Sequence, residues 1–139
     1  MKYAYPVILT PEGGRILVKA PDLKCVNTFG DDLPEALEMA QDAIAMWLTH
    51  AEDNDVDIPP ASPLAVVARL AKGSGRMVSL VMADTGEYRR QNETRAVKKT
   101  LSIPAWLNYQ AEKAGAPFSQ ILQRGLKEYL HIEDSRPGK

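Results

Sequence analysis

A stretch near the end of the chain limits the fold more than any other. Val97-Lys98-Lys99-Thr100-Leu101-Ser102-Ile103 runs through Pro104 into two short helical patterns. One strand followed by two helices cannot close a hydrophobic core, and a lone strand leaves its backbone donors and acceptors without partners. Alternation places Leu101 and Ile103 on one face, with Val97 and the stem of Lys99 behind them, and Lys98, Thr100 and Ser102 on the other. The segment therefore requires an identical strand from a second chain. The resulting antiparallel ribbon is about as wide as the DNA major groove. Pro104 starts the first helix, where its missing N–H costs nothing, and Gly115 stops it. A second helix begins at Pro117-Phe118-Ser119 and carries Ile121, Leu122, Leu126, Tyr129 and Leu130 at helical spacing. Its first amides form an anchor for phosphate.

Residues Lys98 to Leu130 resemble a ribbon-helix-helix domain, the dimeric DNA-binding fold of many small bacterial repressors. The resemblance implies that Lys98, Thr100 and Ser102 read bases and that the turn at Phe118 and Ser119 holds a phosphate. Ala116-Pro117 stands where many such domains place a capping Asn, Ser or Thr.

The distribution of charge divides the chain in the same way. Residues 1–88 hold 7 Lys and Arg against 13 Asp and Glu, about −6, whereas 89–139 hold 10 against 5, about +5. The basic half suits phosphate and the acidic half suits a basic partner. The run from Glu87 to Ala96 has little apolar content and is expected to be a hinge, with Arg89, Arg90 and Arg95 available for phosphate contacts. The expected organisation is 1–88, a hinge at 89–96, and 97–139.

In the first of these segments, short apolar runs alternate with turn residues: Tyr5 to Leu9, Pro11-Glu12-Gly13-Gly14, Ile16 to Val18, Pro21-Asp22, then Cys25 to Thr28. This pattern predicts a three-stranded meander. Asp32 and Glu35 have capping-box spacing, and Leu37, Ala40, Ile44, Trp47, Leu48 and Ala51 form one stripe, predicting a helix from Leu33 to His50 over one face of the sheet. Glu52 to Asp55 and Pro59 to Pro63 read as an exposed connection. Leu64 to Leu70 fits either a helix or a strand. After the Gly73-Ser74-Gly75 turn, Met77 to Met82 predicts a fourth strand. Cys25 stands alone, which excludes an internal disulfide, and in a strand-like run it reads as packing.

The order Tyr5-Pro6-Val7, Pro11-Glu12-Gly13-Gly14, Pro21-Asp22-Leu23, Phe29-Gly30-Asp31, Glu35-Ala36-Leu37, Ala43-Ile44 and Trp47-Leu48 resembles HicB-type antitoxins. Lys24 stands where that family commonly has Pro-Gly before the cysteine. The resemblance implies an α+β protein in which a small antiparallel sheet with one covering helix, a partial and catalytically inert ribonuclease H-like domain, precedes a dimeric ribbon-helix-helix domain. It also implies a function: binding and blocking a small, basic, RNA-cleaving HicA-type toxin while repressing the operon through operator DNA. Exposed acids proposed to meet the toxin are Asp22, Asp31 and Asp32, the last also a helix cap. A homodimer through the tail, or a homotetramer if the fourth strand pairs again, is expected. A ligand-sensing ribbon-helix-helix regulator without a toxin is the alternative.

No catalytic residues, metal site or cofactor are expected. His50 and His131 are far apart in sequence at predicted helix ends, and Asp53, Asp55 and Asp57 lack the central Gly and closing Glu of a calcium loop. Ribonuclease H chemistry needs converging carboxylates, whereas Glu12 and Asp22 lie at turns and Asp84 ends the fourth strand. No apolar run approaches the roughly 20 residues that span a bilayer. The start Met-Lys-Tyr-Ala-Tyr-Pro lacks the apolar core of a signal peptide, so a cytoplasmic protein without membrane contact is expected.

Overall fold

The computed structural model describes residues 1–73 and 75–133, and divides into a unit spanning Met1–Glu93 and a second beginning at Thr94. Ser74 of the expected 73–75 turn and the last six residues of the expected 97–139 domain lie outside the described residues.

The first unit has four strands, β1 (Lys2–Glu12), β2 (Arg15–Lys19), β3 (Asn27–Gly30) and β4 (Met77–Asp84), in the antiparallel order β3-β2-β1-β4. β1 and β2 meet at Glu12↔Arg15 across a two-residue turn, where Gly13 and Gly14 take φ of 59° and 80°. Both values suit glycine and give the turn whose twist matches a hairpin. Odd-numbered residues of β1 and β4 face α1 (Leu33–Asp53): Tyr5, Val7, Leu9, Val81 and Ala83 join Ala36, Ala40, Ile44 and Leu48 in the core. Leu37 and Trp47 flank it, so the expected helix stripe is the buried one.

Asp32 caps α1 by accepting from the Glu35 N–H at 2.9 Å, and Glu35 accepts from the Asp31 N–H at 3.1 Å. The helix extends one turn further than its stripe predicts. Glu52 and Asp53 belong to it rather than to the connection, because both hold Arg89. Residues 64–70 form a helix, α2 (Leu64–Leu70), in contact with β1 and β4. Its buried Val67 and the following Ala71 lie outside the cluster under α1.

Two further expectations, the hinge and Cys25, are corrected. Residues 89–92 are not hinge but the end of α3 (Thr85–Asn92), whose cap is Asp84, accepting from Gly86 and Glu87 N–H groups. Tyr88 packs on the core from this helix. Cys25 is neither in a strand nor packed: it is exposed at φ 64°, and β3 begins two residues later.

The second unit contains α4 (Ala105–Lys113) and α5 (Phe118–Leu130). Gly115, at φ 67°, donates to Glu112 O, and Ala116 donates to Ala111 O. Together these bonds make a Schellman stop. The expected strand over 97–103 is not formed in the single chain, where these residues have no strand partner among the described residues of the second unit.

Candidate functional surfaces

The second unit's surface is set by what it fails to bury. Among its described residues none is buried, and Val97, Leu101, Ile103, Leu107, Phe118, Ile121, Leu122 and Leu126 are all at least 37% exposed. On α5 the apolar positions follow i, i+3, i+4 spacing, a stripe made to be covered. Apolar area on this scale, left in water by 40 ordered residues, does not sustain a fold alone. Lys98, Thr100 and Ser102 are exposed in the segment before α4. Pro117 occupies the N-cap of α5 and no side chain caps it, so the first amides at Phe118 and Ser119 receive no side-chain acceptor.

The first unit's acids fall into two groups. Asp22, Asp31 and Asp32, proposed from sequence, are each held by a different local structure. The Asp22 carboxylate accepts from both the N–H and the hydroxyl of Ser62 and so ties the 59–63 connection down, an arrangement that Tyr5 reinforces by donating to Pro59 O. Asp32 is engaged as the α1 cap. Asp31 is the most available of the three, 75% exposed and 3.8 Å from Arg15, whose guanidinium lies 4.8 Å from the Phe29 ring centroid.

A second group was not foreseen. Glu38 and Asp42, four apart on α1, face Asp84 and Glu87 of the α3 turn across a groove of about 340 Å3 that also includes Tyr88. Among the described residues no cation lies within ion-pair distance of Glu38 or Asp42. The Asp84-x-x-Glu87 pair was the available signal, since it has the spacing of a capping box and marks a helix start at the edge of the expected hinge, although only the Asp84 half of the box forms. Glu87 is held below the usual carboxylate range by hydrogen bonds from Arg90 and Gln91, and Asp84 by the Glu87 and Gly86 amides.

Glu52 connects β1 to both helices. It accepts from Tyr3 Oη at 2.8 Å, Thr85 Oγ1 at 3.1 Å and Arg89 Nη2 at 3.0 Å, while Arg89 Nη1 reaches Asp53 at 2.8 Å. Desolvation pushes the Glu52 carboxyl up. The three hydrogen bonds and the Arg89 charge outweigh it and hold the group below its ordinary 4.5. Arg89 is thus a clamp within the first unit, and not the hinge cation that its position in sequence suggested.

Among the described residues no three His, Cys, Asp or Glu side chains converge to hold a metal ion, and no helix is long and apolar enough to cross a membrane. His50 lies in the last turn of α1 and His131 is the left-handed cap of α5. The larger grooves on both units are lined mainly by charged and amide side chains.

Comparison with known proteins accords with this geometry. A family described as HicB_like antitoxin of bacterial toxin-antitoxin system matches residues 5–124. Among solved structures, a chain of a toxin-antitoxin complex from Streptococcus pneumoniae aligns over 93% of this chain and 99% of its own, with 22% identity and a TM-score of 0.57. The antitoxin HicB of Burkholderia pseudomallei aligns over 92% and 96%, with 19% identity and a TM-score of 0.52. At such identities the likeness is one of fold. No curated protein sequence matches the chain.

Proposed function

Because the chain belongs to the HicB_like antitoxin family of bacterial toxin-antitoxin systems, we propose that it neutralises a small RNA-cleaving HicA-type toxin and represses its own operon through a ribbon-helix-helix tail. It acts by binding alone, in the cytoplasm, without catalysis or cofactor. The family match over residues 5–124 carries the antitoxin reading.

The unburied apolar stripe on α4 and α5 supports the tail's role. Two copies paired through residues 97–103 would bury that stripe and place Lys98, Thr100 and Ser102 of both chains on one polar ribbon face. Phe118 and Ser119 amides would then meet phosphate on either side. The first unit's acidic groove supports a basic protein partner, since a small-molecule sensor calls for a concave apolar pocket. Asp22 and Asp32 are engaged in holding the fold, so toxin contacts pass to Asp31 and to Glu38, Asp42 and Glu87.

Co-expression tests this directly. A small basic protein encoded beside this gene should arrest growth alone and co-purify with the full chain when both are made. The full chain should also shift DNA from upstream of the gene. Growth arrest that persists in the presence of the chain, with no complex recovered, would refute the antitoxin reading.

A further inference from the structure

The two faces of the sheet are opposite in charge. α1, which covers one of them, carries Glu35, Glu38, Asp42, Glu52 and Asp53 and no Lys or Arg. Even-numbered residues of β1 turn to the other face, where Pro6 is fully buried and α2 is the helix in contact with β1 and β4. On β2 and β3 that face stays open, and the cross-strand partners Leu17 and Phe29 are exposed on it. β2 and β3 carry Arg15 and Lys19 and no acid. Residues 58–83, which include α2 and most of β4, carry Arg69, Lys72 and Arg76 and no Asp or Glu. All five cations are exposed, while Glu12 and Asp31 stand at the rim, at the end of β1 and just past β3. An otherwise acidic unit has therefore gathered its unengaged cations on one side.

The open half of this face has a definite arrangement. Alternation along β2 turns Arg15, Leu17 and Lys19 the same way, and a rise of about 3.3 Å per residue sets the two cations about 13 Å apart. Phe29 lies beside Leu17, midway between them. Its ring is 47% exposed, and the Arg15 guanidinium stands 4.8 Å from the ring centroid, so cation and ring form one platform. The pair that Arg15 makes with Asp31 joins exposed groups at 3.8 Å and holds it weakly. An exposed ring on a sheet, with cations on both sides, suits an unpaired base stacked on the ring and phosphates neutralised beside it. A duplex offers no free base face to such a ring.

We propose that this face binds single-stranded nucleic acid, with a base at Phe29 and phosphates met by Arg15, Lys19 and the cations that run from α2 to β4. The chemistry recognised is a phosphodiester chain with an unstacked base, which RNA and single-stranded DNA share. The site is separate from the ribbon of the second unit and from the acidic groove of α1 and α3.

Fluorescence anisotropy with the full chain tests this, using labelled oligouridine, oligothymidine of equal length and a mixed-sequence duplex. In the Leu122→Asp chain, where a charge in the α5 stripe keeps the ribbon from pairing, the single strands should still bind and the duplex should bind far more weakly. Phe29→Ala should weaken single-strand binding roughly 5- to 150-fold, the loss of one base stack. Phe29→Leu, which keeps the apolar bulk, should lose nearly as much. Arg15→Gln with Lys19→Gln should lower the salt slope by about 1.4, at about 0.7 for each phosphate contact. Arg90→Gln, a cation of α3 beside the opposite face, should change neither. Tighter binding of oligouridine would assign the site to RNA, and equal binding to the chemistry that both strands share. Single strands that fail to bind the Leu122→Asp chain would overturn the proposal. So would Phe29→Ala and Phe29→Leu chains that melt and bind like their parent, or that lose only a protein partner.

Discussion

Replacing Gly30 by Ala tests how closely β3 approaches α1. A methyl group at Gly30 would stand 2.3 Å from Ala36 N, 2.6 Å from Ala36 Cα and 2.8 Å from the Glu35 carbonyl carbon. All three are backbone atoms, so no side chain can swing aside, and relief requires β3 or the first turn of α1 to move by roughly 1 Å to reach ordinary contact. Ala36 is fully buried and donates to Asp32 O at 2.9 Å, so that movement also strains the cap. Overpacking of this kind costs about 1–3 kcal/mol, and partial loss of the Asp32 cap adds up to about 1 kcal/mol. The expected destabilisation is about 1–4 kcal/mol. In urea this lowers the midpoint by roughly 0.5–4 M at a slope of about 1–2 kcal/mol/M. Trp47 fluorescence reports the first unit once Trp106 is changed to Phe, because Trp47 packs against the core there. Gly125→Ala, in the second unit at a site with nothing within 4 Å in the single chain, is the control and should leave the Trp47 transition unmoved. Asp32→Ala combined with Gly30→Ala should cost less than the two singly, since both disrupt the same turn. A loss below about 0.5 kcal/mol for Gly30→Ala would refute the close approach.

Other perturbations probe the remaining surfaces. Glu52 has a folded-state pKa below its ordinary value, so its contribution is present above pH 4.5 and is lost as pH falls through the depressed value. Glu52→Gln should therefore flatten the acid limb of a melting-temperature profile below pH 4.5, and an unchanged profile would contradict the clamp. Leu122→Asp in the α5 stripe should abolish tail dimerisation and DNA binding, read by light scattering and fluorescence anisotropy, while leaving the Trp47 transition in place. Thr100→Ala should cost about 1–3 kcal/mol at one base step and relax specificity there, whereas equal losses on unrelated sequences would count against base reading. Lys98→Ala should lower the salt slope by about one unit per chain if that side chain meets phosphate instead of a base.

What was legible in the sequence was local. The Gly13-Gly14 turn, the Asp32-x-x-Glu35 box, the α1 stripe and the Gly115 stop each draw their signal from residues a few positions apart, and each stands where its spacing placed it. The two tail helices also stand where Pro104, Gly115 and the apolar spacing of 118–130 placed them. Other features depended on residues distant in sequence. Leu64 to Leu70 became a helix because Val67 and Ala71, one turn apart, bury together, a choice that a short apolar run leaves open. Arg89 and Arg90 look like hinge cations until Glu52 and Asp53, 36 or more residues earlier, hold Arg89 and fix α3 on α1. Asp22 reads as a free surface acid until Ser62, 40 residues away, donates to it twice. The acidic groove exists only where α1 and α3 come together. Pairing across long separations is a property of the closed core, because a contact between distant residues forms only after the chain entropy of bringing them together has been met by burial elsewhere.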